Sequence, residues 1–264
     1  MGQDVSGDDP GGGELTGGEA TGGELTGGEA TGGELTGGEA TPVRVLRVFT
    51  DDSGRYGNPL GVIEGGLVGR GRRQQVAREL GFSETIFIDD RARGELRIFT
   101  PAVELPLAGH PLVGAAWVLR EGRNAREEIE LRPPGGIVRA WGNEGGRTWI
   151  EAPLATLPDW TLVELGAPAE VEALAGPLRP EHDHVVYWAW IETGVMRVRC
   201  FAPSFGVAED EATGSAALRL TAMLDTAIEI RQGRGSLLHA RPVDSARAAV
   251  GGRVVEDDRL PLPV

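Results

Sequence analysis

The sequence predicts an α/β (α+β) fold built from two similar domains that face each other across a pseudo-two-fold cleft. The first observation is an internal repeat, since RIFTP (97–101) and RCFAP (199–203) share Arg, Phe and Pro at the same spacing. Each copy is followed by a loop, a glycine and a helix of small residues, beginning at Gly109 and Gly214. The second observation is a series of short alternating apolar segments between the copies, as expected for strands. One strand–loop–helix unit therefore occurs twice.

The first 41 residues differ in composition from the rest of the chain. They contain three near-copies of the ten-residue unit TGGELTGGEA, in which leucine is the only large apolar residue. Such a segment cannot bury enough apolar surface to offset the entropy lost on ordering. We therefore predict a disordered tail at 1–41 and two domains at 42–155 and 156–264, leaving open whether the last strand packs back on the first domain. The tail could be an interaction or solubilising segment, or it could be a neutral low-complexity extension. The composition favours the neutral extension.

Alternating and amphipathic patterns predict the elements of the two domains. In the first domain we expect strands at 43–50, 84–90, 95–101, 126–131, 136–141 and 147–152. We also expect a turn-rich loop at 51–59, a short helix at 72–80 closed by Gly81, and a buried helix at 109–122. A Pro- and Ala-rich junction at 153–180 follows. In the second domain we expect strands at 184–191, 195–203, 228–233, 236–242 and 253–257, with a helix at 212–225.

Charge and residue usage exclude several classes of function. The net charge is −14, but nine acids and no bases lie in the first 41 residues, so the remaining chain carries only −5. Without a basic surface, the body is not expected to bind nucleic acid. All 26 basic residues are arginine. The absence of lysine excludes a lysine Schiff base, including covalently held pyridoxal phosphate, and the Walker-type phosphate loop.

Cysteine usage and hydropathy predict the compartment. A single cysteine, Cys200, excludes an internal disulfide and suits a reducing environment. No apolar run is long enough to cross a bilayer, and no secretory signal pattern is present at the N-terminus. We therefore expect a cytoplasmic protein without a membrane partner.

The two repeated helix starts predict an anion site. If the halves face each other, the free backbone N–H groups at Gly109 and Gly214 point into one cleft and can hold a carboxylate or a phosphate. Alternatively, each glycine merely permits close packing of its helix. Because the feature is duplicated, we favour a binding role.

Three side chains near these helix starts could move protons. Taken alone, Asp210 would be a helix N-cap, with Glu209 and Glu211 as ordinary first-turn acids, and His110 would be a core or capping histidine. Glu84 is less ordinary, since this carboxyl group begins an apolar strand. Burial there would raise its pKa toward neutrality and make it a proton carrier.

Four ordered motifs give this chain a specific resemblance: FTDDSGRYGNPLGVI, GFSETIFI, RIFTPAVELPLAGHPLVGAA and FGVAEDEATGSAAL. Together they resemble the PhzF-like isomerase family of phenazine biosynthesis, within the diaminopimelate epimerase fold superfamily. The resemblance implies two domains, each a curved, mostly antiparallel sheet wrapped around a central helix, with the active site between them. It also implies a homodimer and an isomerase that moves a hydrogen within a dihydro-hydroxyanthranilate, with no metal and no organic cofactor.

Carried over motif by motif, the resemblance assigns roles to single residues. Glu84 would be the acid/base, while His110 and Asp210 would contact the substrate and tune its charge. The substrate carboxylate would be held by three backbones, with a serine hydroxyl nearby: Gly109, Gly214, Ser215 and, for the hydroxyl, Ser83. The epimerase branch of the superfamily uses a cysteine at each helix start. Ala108 and Thr213 occupy those places here, which excludes two-thiol racemisation.

The sequence also departs from the family pattern. Only 100 residues separate His110 from Asp210, an interval shorter than expected, and Glu211 stands where proline is common. Our hypothesis is therefore a cofactor-independent isomerase of a small cyclic or unsaturated carboxylic acid. The alternatives are an epimerase or racemase without catalytic thiols, and a degenerate binding or scaffold protein. The HDH segment at 182–184 is a candidate metal pair, although exposed histidines at a strand end are the simpler interpretation.

Overall fold

A computed structural model describes residues 43–124, 126–179, 181–203 and 207–263. The disordered tail predicted for residues 1–41 lies outside this range. Within the described residues the strands are β1 Val43–Thr50, β2 Asn58–Glu64, β3 Glu84–Asp90, β4 Glu95–Phe99, β5 Glu104–Leu105, β6 Ile129–Leu131, β7 Val138–Gly142, β8 Thr148–Pro153, β9 Thr161–Glu164, β10 Val185–Glu192, β11 Val195–Ala202, β12 Val207–Asp210, β13 Ile228–Gln232, β14 Ser236–Asp244 and β15 Arg247–Leu260. The α-helices are α1 Arg73–Leu80, α2 Gly109–Leu119, α3 Pro168–Glu172 and α4 Gly214–Leu224.

The strands form one continuous mixed sheet. Its main path runs β5-β4-β3-β2-β1-β15-β14-β13-β11-β10-β9, while β8, β7 and β6 branch from β15 and β12 pairs with β11. Most pairs are antiparallel, and the exceptions are β2 with β3, β11 with β13, and β9 with β10. The long strand β15 pairs with β1, β8 and β14, so the end of the chain connects the strands of both halves.

Both repeated helices are covered by this sheet. Every residue of α2 except Trp117 is buried, as predicted from its lack of a polar face. α2 packs against β1, β3, β8 and β15, and α4 packs against β14 and β15. One hydrophobic core contains residues of both helices, including Leu112, Val113, Leu218 and Leu220. The two helix starts are therefore held by the same packed interior.

Most predicted elements are confirmed, and the differences have local causes. Helix α1 ends at Gly81 in the left-handed conformation, as expected for a glycine C-cap. The strand β2 was not predicted, since the turn signals of residues 51–59 conceal its start at Asn58. The junction predicted at 153–180 contains strand β9 and helix α3. β9 is only four residues long and lies at a sheet edge, where little apolar pattern is needed.

The interpretation of Glu209, Asp210 and Glu211 as cap and first-turn acids was wrong. Helix α4 begins at Gly214 with Thr213 as its N-cap, and its first turn contains no acid. Residues 207–210 instead form strand β12, which pairs with β11 through Asp210 and Cys200. The side chain of Glu209 forms an ion pair with Arg199 on β11, which favours the strand over an extra helical turn.

Candidate active site

The starts of α2 and α4 touch through their glycines. A Cβ atom added to Gly109 would lie 3.0 Å from the Cα of Gly214, and one added to Gly214 would lie 3.1 Å from the Cα of Gly109. The same added atoms would lie 3.2 Å from the Ser215 nitrogen and 3.1 Å from the His110 nitrogen. The backbone N–H groups of the two helix starts therefore lie together at one place, and a Cβ atom on either glycine would push the two backbones apart.

Glu84 is the first residue of β3 and lies beside His110. Its Oε2 atom is buried, makes no hydrogen bond within the described residues, and is 3.5 Å from His110 Nε2. A carboxylate that loses more hydration than it gains in hydrogen bonds is destabilised relative to the neutral acid. Burial accordingly raises the pKa of Glu84 to about 7, although a hydrogen bond with the Ser83 hydroxyl opposes this.

His110, the second residue of α2, is buried and uncharged at neutral pH. Burial lowers its pKa to about 4, although the nearby Asp210 charge opposes this. The imidazole hydrogen-bonds the backbone of Pro59, which has no N–H and can only accept through its carbonyl oxygen. Nε2 makes no hydrogen bond within the described residues, so the nitrogen that donates to Pro59 is Nδ1. In the neutral ring, Nε2 then presents a lone pair toward Glu84.

Asp210 ends β12, next to the start of α4. Its Oδ1 accepts from Asn58 Nδ2 at 2.6 Å, and its Oδ2 accepts from the Thr213 hydroxyl at 2.7 Å. Burial, followed by the nearby Glu84 carboxyl, raises the pKa of Asp210 to about 6. The two carboxyl groups therefore titrate close to neutrality in one small region.

The remaining predicted residues surround this cluster. The Ser83 hydroxyl donates to Asn58 Oδ1 at 3.1 Å, next to Glu84 in the chain. The Ser215 hydroxyl accepts from the Trp160 indole N–H at 3.0 Å. The structure thus brings together residues that are far apart in the sequence: Ser83, Glu84, Gly109, His110, Asp210, Gly214 and Ser215.

Four polar residues at this site were not predicted: Asn58, Trp160, Thr213 and Gln232. Asn58 lies in the GNP segment of the first quoted motif, which could have indicated it. For Thr213 the sequence indicates only that it stands where the epimerase branch has a cysteine. Trp160 and Gln232 carry no local sequence signal, since one lies in the Pro-rich junction and the other in an ordinary alternating strand.

Glu211 and the HDH segment have structural contacts of their own. Glu211 accepts hydrogen bonds from the Ser236 hydroxyl and from the Arg234 backbone, away from Asp210. His182 and His184 are half-buried rather than exposed: His182 Nδ1 is 2.8 Å from the Tyr187 hydroxyl, and His184 stacks on Trp160. Across the described ranges, no group of three or more His, Cys, Asp or Glu side chains could hold a metal ion.

Cys200 is buried on β11, and burial raises the pKa of its thiol. Ala108 and Thr213 are the residues that precede α2 and α4. The helix starts therefore carry no thiol, as the sequence indicated. No helix within the described residues is long and apolar enough to cross a membrane.

Solved structures with this architecture define the class of fold. A phenazine biosynthesis PhzC/PhzF protein from Clostridium difficile superimposes with a TM-score of 0.69 at 19% identity, covering 85% of this chain and 100% of that chain. A hydroxyproline epimerase from Agrobacterium vitis gives a TM-score of 0.57 at 13% identity, covering 83% and 91%. At these identities the likeness concerns the fold alone, and it confirms the predicted α+β fold class.

Sequence comparison then identifies the family. A family model described as phenazine biosynthesis-like protein (PhzC-PhzF) matches residues 46–188, more than half of the chain. This chain belongs to that family, as its four motifs predicted.

Curated relatives match over parts of their length. The trans-2,3-dihydro-3-hydroxyanthranilate isomerase of Pseudomonas aeruginosa is 32% identical over 188 residues, which cover 55% of this chain and 66% of that protein. The enzyme of the same name from Pseudomonas chlororaphis is 30% identical over 217 residues, covering 64% and 78%. An uncharacterised isomerase of Pasteurella multocida is 43% identical over 89 residues, covering 31% and 30%. The chain thus spans less than two thirds of the length of the first and third of these relatives.

Proposed function

We propose that this protein is a cofactor-independent isomerase that moves a proton within a small cyclic or unsaturated carboxylic acid resembling dihydro-hydroxyanthranilate. The observation that carries the proposal is the buried Glu84 carboxyl, 3.5 Å from a neutral histidine and beside two touching helix starts. The names of the Pseudomonas relatives support the same reaction class.

The helix starts would bind the carboxylate of the substrate. Backbone N–H groups at the N-termini of α2 and α4 have no acceptors within their own helices and carry partial positive charge. The absence of Cβ atoms at Gly109 and Gly214 lets the two helix starts pack against each other, which brings both sets of N–H groups, with Ser215 adjacent, within reach of one anion. Binding there would hold the reacting carbons in place, which lowers the entropic part of the barrier.

Glu84 would carry the proton between two carbons on the same face of the substrate. At one carbon a C–H bond breaks and its proton goes to a Glu84 oxygen; at the other, the Glu84 O–H bond breaks and a C–H bond forms. The double bonds shift and no electrons leave the substrate. A carboxyl with a pKa of about 7 can both give and take a proton near neutral pH. Such acid–base help contributes on the order of 10²–10⁴ in rate.

His110 and Asp210 would tune the charge that develops on the substrate. The imidazole is neutral, so it does not hold Glu84 in its ionised form through a permanent ion pair. Asp210 would face a substrate cation or a donor group. Ser83, through its bond to Asn58, would help to position Glu84.

The proposal includes a cytoplasmic homodimer whose partner is a small carboxylate. It retains the division into domains at 42–155 and 156–264, with the site between them.

The test follows the proton. The full-length protein is incubated in D₂O with trans-2,3-dihydro-3-hydroxyanthranilate, and separately with a panel of amino acids, and the reactions are followed by NMR. We expect isomerised product that is lost in Glu84→Gln and retained in Glu192→Gln, a control at an exposed site on β10. Deuteration at an amino-acid α-carbon would instead support an epimerase without thiols. No exchange with any compound would favour a binding or scaffold protein.

A further inference from the structure

Backbone atoms fix the direction of the hydrogen bonds around Asn58. Its Nδ2 is 3.2 Å from the backbone carbonyl of Ala212, which can only accept. The amide nitrogen therefore faces Ala212 and Asp210, and Oδ1 faces Ser83. A serine hydroxyl has one hydrogen, and that of Ser83 is directed to Asn58 Oδ1. Asn58 Oδ1 therefore competes for the hydrogen that Ser83 would otherwise donate to Glu84, a bond that lowers the pKa of Glu84.

Backbone atoms fix the direction around Gln232 in the same way. Its Oε1 accepts from the Thr213 N–H at 3.1 Å, and its Nε2 donates to the Asp210 backbone carbonyl at 2.8 Å. The amide cannot be reversed without facing donor with donor and acceptor with acceptor. Nε2 also donates to Thr213 Oγ1 at 2.7 Å, which leaves the hydroxyl hydrogen of Thr213 free to point at Asp210 Oδ2.

The two carboxyl groups consequently have opposite surroundings. Asp210 receives a donor on each oxygen, from Asn58 and from Thr213, and hydrogen bonds of this kind favour a carboxylate. Glu84 Oε2 has no hydrogen-bond donor within the described residues and lies 3.5 Å from His110 Nε2, and Asn58 competes for the one hydrogen that Ser83 could donate to Glu84. These surroundings favour a carboxylic acid. Two further titratable groups interact with Asp210: the His110 imidazole, which burial keeps neutral, and the Cys200 thiol on β11, which burial keeps protonated.

We propose that Asn58 and Gln232 are positioning residues that assign the single proton of this pair to Glu84 and leave Asp210 ionised. This inference rests on the proposed function and adds the order of its steps. Glu84 first gives its proton to a substrate carbon, with its O–H bond breaking as the C–H bond forms. The ionised Asp210 offsets the positive charge left on the substrate. Glu84 then takes a proton from the second carbon and is restored.

A pH–rate profile cannot test this assignment. The form with the proton on Glu84 and the form with the proton on Asp210 carry the same number of protons, so both predict the same bell shape. The test must observe each carboxyl group directly.

The experiment is a ¹³C NMR titration of the full-length protein labelled at the side-chain carboxyl carbons of Asp and Glu, without substrate. Glu84→Gln and Asp210→Asn assign the two signals. We expect Asp210 to ionise at lower pH than Glu84. In Asn58→Ala, which removes a donor from Asp210 and frees the Ser83 hydrogen, the difference between the pKa values of Glu84 and Asp210 should close or reverse, a change of about one pH unit or more. Asn143→Ala, in the turn between β7 and β8, is the control and should leave this difference unchanged.

Thr213→Val provides a second variant of nearly the same shape, in case Asn58→Ala does not fold. It removes the donor to Asp210 Oδ2 and should change the pKa difference in the same direction. The inference is overturned if, in the wild type, Glu84 ionises at or below the pH at which Asp210 does, or if the folded variants leave the pKa difference unchanged. Because no substrate is present, a lack of turnover would refute the proposed function without altering this result.

Discussion

Replacing Glu84 by glutamine should stabilise the protein at alkaline pH while abolishing its proposed activity. The native state holds this carboxyl with a pKa of about 7, against an ordinary value of 4.5. Above pH 4.5 the unfolded chain releases the proton that the folded chain retains, so stability falls as pH rises and the loss is complete above about pH 7. Glutamine keeps the shape and never ionises.

The size of the effect follows from the shift in pKa. A difference of about 2.5 between the two values, at about 1.4 kcal/mol for each unit of pH, predicts that Glu84→Gln gains about 3 kcal/mol at pH 8. At pH 5 most of the destabilisation by the buried Glu84 carboxyl is absent, so Glu84→Gln should raise the free energy of unfolding by less than about 1 kcal/mol. The side-chain amide introduced by Glu84→Gln could donate to His110 Nε2, which lies 3.5 Å from Glu84 Oε2.

Urea unfolding at pH 5 and pH 8, followed by circular dichroism, measures the gain. Glu192→Gln is the matched control, because its side chain is exposed on β10 and should give the same stability change at both pH values. If Glu84→Gln is equally or less stable than the wild type at pH 8, Glu84 is not a desolvated carboxyl, and the electrostatic reasoning about this site is refuted.

Three further predictions concern the same site. The value of kcat/KM should be maximal between about pH 6 and pH 7, because the active form holds one proton between Asp210 and Glu84. On either side kcat/KM should fall by up to about tenfold per pH unit, and a plateau above pH 8 would contradict this prediction. Gly214→Ala should lower the free energy of unfolding by about 1–3 kcal/mol and reduce turnover more than about tenfold, because the added Cβ would meet the Gly109 backbone. In the control variant Gly66→Ala the added Cβ meets no atom within 4 Å, so stability and turnover should both be unchanged. Thiol reagents should leave the native enzyme active and should modify Cys200 only on unfolding, since this buried thiol is protonated; inactivation at native pH would point to thiol chemistry.

Much of the fold could be predicted because its signals are local. The alternation in β1 and the glycine that ends α1 are properties of short segments, and the structure has both elements where the patterns placed them. Strands β9 and β12 could not be predicted in the same way. Each is four residues long and exists because a neighbouring strand, β10 or β11, offers hydrogen bonds to it.

Part of the candidate site could also be predicted, because the motifs contain the titratable groups. The motifs predict Glu84, His110 and Asp210, and the structure places these three side chains together. The surrounding amides could not be chosen, since Asn58 and Gln232 act through atoms of residues that are far away in the chain.

The family and the residue types follow from the amino-acid sequence alone: a repeated helix start, one acid at the head of an apolar strand, and no lysine or paired cysteines. The electrostatics of the site depend on the tertiary structure. Only folding removes water from Glu84 and Asp210, and only folding brings the carbonyls of Pro59 and Ala212 to the site. Desolvation and hydrogen-bond direction depend on atoms gathered from the whole chain, whereas residue identity does not, and this is why the two kinds of information separate here.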